Sequence, residues 1–335
     1  MKTTLLRFLS ALVLLVGLTA CGRKEAESSA ATAAKPALTK VRFQTDWYPQ
    51  PEHGGYYQAL AKGYYAEEGL DVEIRPGGPN AQVLSSVATG RADLGMTNGD
   101  DTIVAVGRGL PLKMVAAEMQ RDAQGILYHA EHPIRDLRDL NGKTIMAGAG
   151  SVWIQFVQKK YGIQFNLLPL AGDLARFMND KTFIQQCFVT NEPFFTRQRG
   201  AEVGALLIAH PGYEPYRVIF TSNDYLAKNP DVVRRFVRAS LRGWADYLTG
   251  DPAPGNALLR QKRDDLSPEF LAYSIKAMKD YQLVLGDPAR GEKVGQLTAE
   301  RLETQIKLLA ELGVLDRPVK REDVATFDFL PAENR

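Results

Sequence analysis

From Val41 onward, short apolar runs alternate with stretches whose apolar residues recur every three or four positions. Residues 41–45 read as a strand, 54–68 as a helix and 70–75 as a strand. The pattern repeats with helices over 80–89 and 101–107 and strands over 92–96 and 112–117. Such alternation belongs to parallel sheets covered by helices, because a parallel crossover needs about a helix's length of chain. A second unit begins near Ile134, with a strand over 144–147, the turn Gly148-Ala149-Gly150-Ser151 and a helix reaching Lys160. Further strands fall near Leu167, Phe188 and Leu206. From Pro230 the chain is mainly helical, with Val233, Phe236, Val237, Leu241, Trp244 and Leu248 on one apolar face. The expected class is α/β, each unit a mainly parallel sheet flanked by helices.

The first forty residues follow a different rule. Lys2 and Arg7 accompany a mostly apolar run over 8–19, which is short for a bilayer span and has the length of an export signal's apolar segment. Leu18-Thr19-Ala20-Cys21 then resembles a bacterial lipobox, whose cysteine is lipidated and becomes the first mature residue. The plainer alternative is a cleaved secretory leader over 1–20 with Cys21 incidental, and either one exports the protein. Residues 21–40 are rich in Ala, Ser, Glu and Lys without an apolar face, and read as a flexible tether. The expectation is an exported, periplasmic or cell-surface lipoprotein anchored to the membrane through Cys21.

Charge and cysteines narrow the function. The chain has 41 basic and 39 acidic residues, and losing Lys2 and Arg7 with the leader leaves 39 of each. That balance argues against a nucleic-acid partner. Cys187 is the one cysteine besides Cys21, so neither an intramolecular disulfide nor a cysteine metal site is expected. Four scattered histidines, without Ser-His-Asp order or a paired-carboxylate signature, suggest no catalytic residues and no metal.

Several segments match one family in order. GYYQALAKGYYAEEGLDVEI, ATGRADLGM and DLNGKTI resemble successive landmarks of the solute-binding proteins of ABC importers, over residues 41–320. Within that superfamily DWYPQPEHGGYYQA is similar to the branch that binds pyrimidine precursors of thiamine. That branch is related in fold to the eukaryotic pyrimidine synthase. The resemblance implies a two-lobed type II periplasmic binding protein, working as a monomer with an ABC permease and needing no cofactor. Lobe 1 would be 41–130 plus 222–335 and lobe 2 131–221, with hinges near Ala130 and Thr221. The implied ligand is a small planar heterocycle, foremost a formylaminopyrimidine or hydroxymethylpyrimidine. Riboflavin, or an anion of the sulfonate or nitrate kind, is the alternative. The synthases' cysteine-rich motif is reduced here to Gln186-Cys187-Phe188, and Lys62, which could in principle hold pyridoxal phosphate, sits in a helix end that binding proteins share.

Strand ends supply the candidate ligand groups, since open α/β sheets bind ligands beyond the carboxyl ends of their strands. Asp46, Trp47 and Tyr48 follow the first strand, with Trp47 as a stacking plate or as a partly buried anchor. His53 reads as a ligand contact or as a helix-start residue with a local hydrogen bond, and one of Tyr56 and Tyr57 is expected in the core. Asn98 and Asp100 follow another strand, with Asp100 either a cap or a contact, and Gln124 is a further candidate. Ser151 and Trp153 open a helix whose free N–H groups suit a carbonyl or an anion, or simply make a turn. Glu192 follows the run 187–189. In the resembling branch a glutamate there faces the ligand and would accept from an exocyclic amine. Its alternative role is a helix cap. Basic residues are scarce in these segments, which speaks against an anion.

Overall fold

The computed structural model describes residues 37–334, apart from 79–80, 149, 171–173 and 211. The expected leader, Cys21 and most of the tether lie outside the described residues, as does Ala149 of the glycine-rich turn. Two five-stranded sheets organise residues 37–334. The first contains β1 (Thr39–Gln44), β2 (Leu70–Arg75), β3 (Leu94–Asn98) and β4 (Leu112–Met119). The second contains β5 (Gln124–His129), β6 (Thr144–Ala147), β7 (Asn166–Pro169), β8 (Ile184–Phe188) and β9 (Val203–Leu207). The chain then returns to the first sheet as β10 (Arg217–Ser222).

The strand orders are β2-β1-β3-β10-β4 and β7-β6-β8-β5-β9, one topology used twice. In each sheet four strands point one way and one runs against them: β10 is antiparallel to β3 and β4, and β5 to β8 and β9. The sheets are therefore mixed, and the reversed strand is the one reached from the other sheet. The chain crosses at 120–123 and at 208–216, several residues before the positions near 130 and 221 anticipated from sequence. The two sheets with their helices form two lobes, the arrangement of the type II periplasmic-binding-protein fold.

Helix Gly54–Ala61 explains the glycine pair that opens it. A Cβ on Gly54 would lie 2.1 Å from the Tyr247 ring, and one on Gly55 2.2 Å from Trp244. Only backbone fits between this helix and the long helix Pro230–Thr249. The expected face of that long helix is buried throughout, from Val233 to Leu248. Gly63, at φ +75°, ends the first helix, and a short second helix, Tyr64–Glu67, follows. Tyr56 and Tyr57 are both fully buried, contrary to the expectation that one would be. The helix is covered on two sides: Tyr56 packs on Phe43 and Trp244, and Tyr57 joins Leu259, Phe270 and Leu271.

Candidate functional site

The carboxyl ends of β1, β3 and β4 and the amino end of the reversed strand β10 share one edge of the first sheet. The second sheet brings the carboxyl ends of β6 and β8 and the start of β5 to the same cleft. A cavity of about 240 Å³ lies there. Asp46, Trp47, Glu52 and His53 enter it from the loop after β1, and Asn98 and Asp101 from the end of β3. Gln124 and the segment Gln186–Phe188, with Asn191 and Glu192, come from the second lobe. A smaller chamber of about 50 Å³ shares Asn98, Asp101 and Gln124 and adds Asp100, Asp122, Ser151, Trp153 and Tyr213.

The sequence candidates divide accordingly. Asp46, Trp47, His53, Asn98, Gln124 and Glu192 line the main cavity, and Asp100, Ser151 and Trp153 line the small chamber. Tyr48 lines neither; it is exposed and meets Trp47 edge-on, with ring centroids 5.6 Å apart. Tyr56 also lines neither, because its ring is consumed by packing in the first lobe's core.

Arg217 is one of the residues that sequence reasoning missed. It is buried and donates to Asp46, to Asn98 Oδ1 at 3.2 Å and to Asp122 Oδ2 at 3.3 Å. The cleft thus holds a cation that the candidate segments, scarce in basic residues, did not announce, but this arginine is already held by two carboxylates. Glu118, fully buried beneath, lies 3.8 Å from the same guanidinium. Burial opposes the charge on Asp46, but Arg217 and a 3.4 Å contact from His53 Nε2 outweigh it and hold the carboxyl at about 2. Asp46 is therefore a fixed anion, and the pair is electrically closed.

Glu192 is placed differently. It begins the helix Glu192–Gln198, and its Oε2 accepts from the Phe188 N–H at 2.7 Å. Burial pushes its carboxyl up to about 7 despite that bond, and Glu52 nearby adds repulsion. Glu52, also unforeseen, is buried; Thr190 donates to its Oε1, while Oε2 has no partner among the described residues. Burial raises its pKa too. His53 Nδ1, Gln50 Oε1 and Gln124 Oε1 are likewise unpaired around the same cavity. Buried polar groups are normally paired, so this cluster offers hydrogen-bonding capacity to water or to a polar solute. The cavity can stack a flat ring against Trp47 or Phe188 and exchange hydrogen bonds around its rim.

Among curated proteins, the chain is 29% identical to the riboflavin-binding protein RibY of Chloroflexus aurantiacus, over 89% of this chain and 88% of that one. It is 24% identical to the formylaminopyrimidine-binding protein of Halalkalibacterium halodurans, over 86% and 89%. It is 28% identical to the 4-amino-5-hydroxymethyl-2-methylpyrimidine phosphate synthase THI11 of Saccharomyces cerevisiae, over 64% and 68%. The periplasmic aliphatic sulphonate binding protein SsuA of Escherichia coli shares the fold, with a TM-score of 0.67 at 16% identity, covering 85% and 97%. The model of the NMT1/THI5-like family matches residues 50–253, and the chain belongs to that family.

Proposed function

We propose that the protein is the exported solute-binding lipoprotein of an ABC importer and captures a neutral planar nitrogen heterocycle without converting it. A thiamine pyrimidine precursor of the formylaminopyrimidine type is the first choice. The observation that carries this is the pairing of Glu192, a carboxylate at a strand end, with Trp47 and Phe188 around one small cavity. An exocyclic amine would donate to Glu192 while the ring stacks. An anion would find Arg217 already bound by Asp46 and Asp122 and would face Glu52, Asp101 and Glu192 as well. The relative named for formylaminopyrimidine supports the same solute.

Riboflavin is the second reading, favoured by the relative named for it, which is matched over nearly its whole length. An enzyme reading has less support. Lys62 does not line the cavity; its Nζ pairs with Asp246 at 3.2 Å on the outer side of the first helix. Calorimetry of the mature protein against aminopyrimidines, riboflavin and alkanesulfonates decides the solute. Tight sulfonate binding with silent heterocycles rejects the assignment and leaves the importer role. Palmitate labelling that survives Cys21→Ser rejects the anchor.

A further inference from the structure

We propose that the small chamber beside the main cavity is a second subsite, built for a short uncharged polar arm carried by the heterocycle. The inference rests on the heterocycle reading and specifies which heterocycles fit.

The two spaces meet across Asn98, Asp101 and Gln124. About 50 Å³ of room for water-sized groups, where one water needs about 10–15 Å³, accommodates roughly three or four polar heavy atoms. A second ring does not fit; a hydroxylated or amide-bearing arm does. Two orphaned groups define what the arm must offer. Trp153, buried to 2% exposure, has an Nε1–H with no partner among the described residues, and Gln124 Oε1 lacks one too. Both border the chamber, one needing an acceptor and the other a donor. A hydroxyl group or a secondary amide supplies both at once.

Most of the other polar groups there are committed. Asp122 accepts from the Gln124 N–H at 2.8 Å and from Arg217, and Asp100 accepts from Tyr213 Oη at 2.8 Å and from Gln305. Ser151 Oγ is turned back to the Gly148 carbonyl at 2.9 Å. With Asp100, Asp101 and Asp122 in its wall, and no basic side chain among the described residues lining it, the chamber repels a phosphate or carboxylate on the arm.

The test uses matched ligands that differ only in the arm: formylaminomethyl- or hydroxymethyl- against methyl-substituted aminopyrimidine. In titration calorimetry with the mature protein, the arm should raise affinity about tenfold or more. Trp153→Phe, which keeps a flat ring but removes the indole N–H, should abolish that gain and leave the armless ligand unchanged. Armless ligands that bind as tightly as armed ones overturn the subsite and leave the heterocycle reading intact. Equal loss for both ligands in Trp153→Phe also overturns it. Failure of every heterocycle to bind overturns both readings.

Discussion

Glu192 and Arg217 show how one strand-end geometry produces opposite electrostatics. Arg217 sits among Asp46, Asp122 and Glu118, so truncation leaves buried carboxylates without compensation. Arg217→Met should lower unfolding free energy by about 3–5 kcal/mol in urea titration, the usual consequence of breaking a buried pair. Glu192, by contrast, is desolvated toward a value of about 7 and has no cationic partner among the described residues. An amine donor binds its ionised form, so protonation competes with the ligand. Affinity for an aminopyrimidine should therefore be flat above about pH 8 and fall about tenfold per unit well below pH 7. Glu192→Gln should remove most of that slope and weaken binding by about 1.5–3 kcal/mol. A slope unchanged in that variant would assign the proton elsewhere, with Asp100, also near 7, the next candidate. Glu192 was legible in the sequence as a carboxylate after an apolar run. Arg217 was not, because a residue beginning a strand lies at the ligand edge only if that strand is reversed.

The same reversal limited what could be read at the level of elements. Strands over 70–75 and 144–147 were legible to the residue, because the first alternates apolar and charged residues before a Pro-Gly-Gly turn and the second is a short apolar run before Gly148. β5, Gln124–His129, went unread as a strand. It follows β4 after only four residues, so no helix announces it, and it opens with Gln and Gly. The helical reading over 54–68 was right in kind but missed the break at Gly63. The opening glycine pair was legible as unusual, while its cause, the approach of helix Pro230–Thr249, is a long-range contact that no local pattern encodes. Gly55→Ala places a methyl 2.2 Å from the Trp244 ring and should cost about 1–3 kcal/mol of stability through overpacking. Gly63→Ala meets no atom within 4 Å and should cost about 1 kcal/mol, from the left-handed backbone alone. Equal urea midpoints for the two variants would contradict this account of the helix contact.

At the scale of the whole molecule, the lobes also touch beside the crossing segment 120–123, where the Val189 N–H donates to the Ala123 carbonyl at 2.9 Å. Phe194 and Phe195, from the helix that Glu192 begins, pack against Phe270, and Phe194 also meets Tyr273. Phe270 and Tyr273 lie on helix Pro268–Asp280, which shares a cluster with Tyr57 of the first lobe. Tyr273 Oη donates to the Val189 carbonyl at 2.9 Å, and Ser274 Oγ to that of Thr190 at 2.6 Å. Thr190 in turn donates to Glu52, so this clasp is continuous with the cavity wall. Opening of the lobes would strain these contacts, and 120–123 and 208–216 are the segments able to flex between the lobes. Weakening the clasp without touching the cavity should therefore favour the open form. In Phe195→Ala/Tyr273→Phe, small-angle scattering of the solute-free protein should give a larger radius of gyration than wild type. Saturating solute should restore it. Affinity should fall about tenfold through a faster off-rate, because binding must then supply the closing free energy that the aromatic contacts supplied. Unchanged scattering together with unchanged off-rate would mean that the clasp does not govern closure.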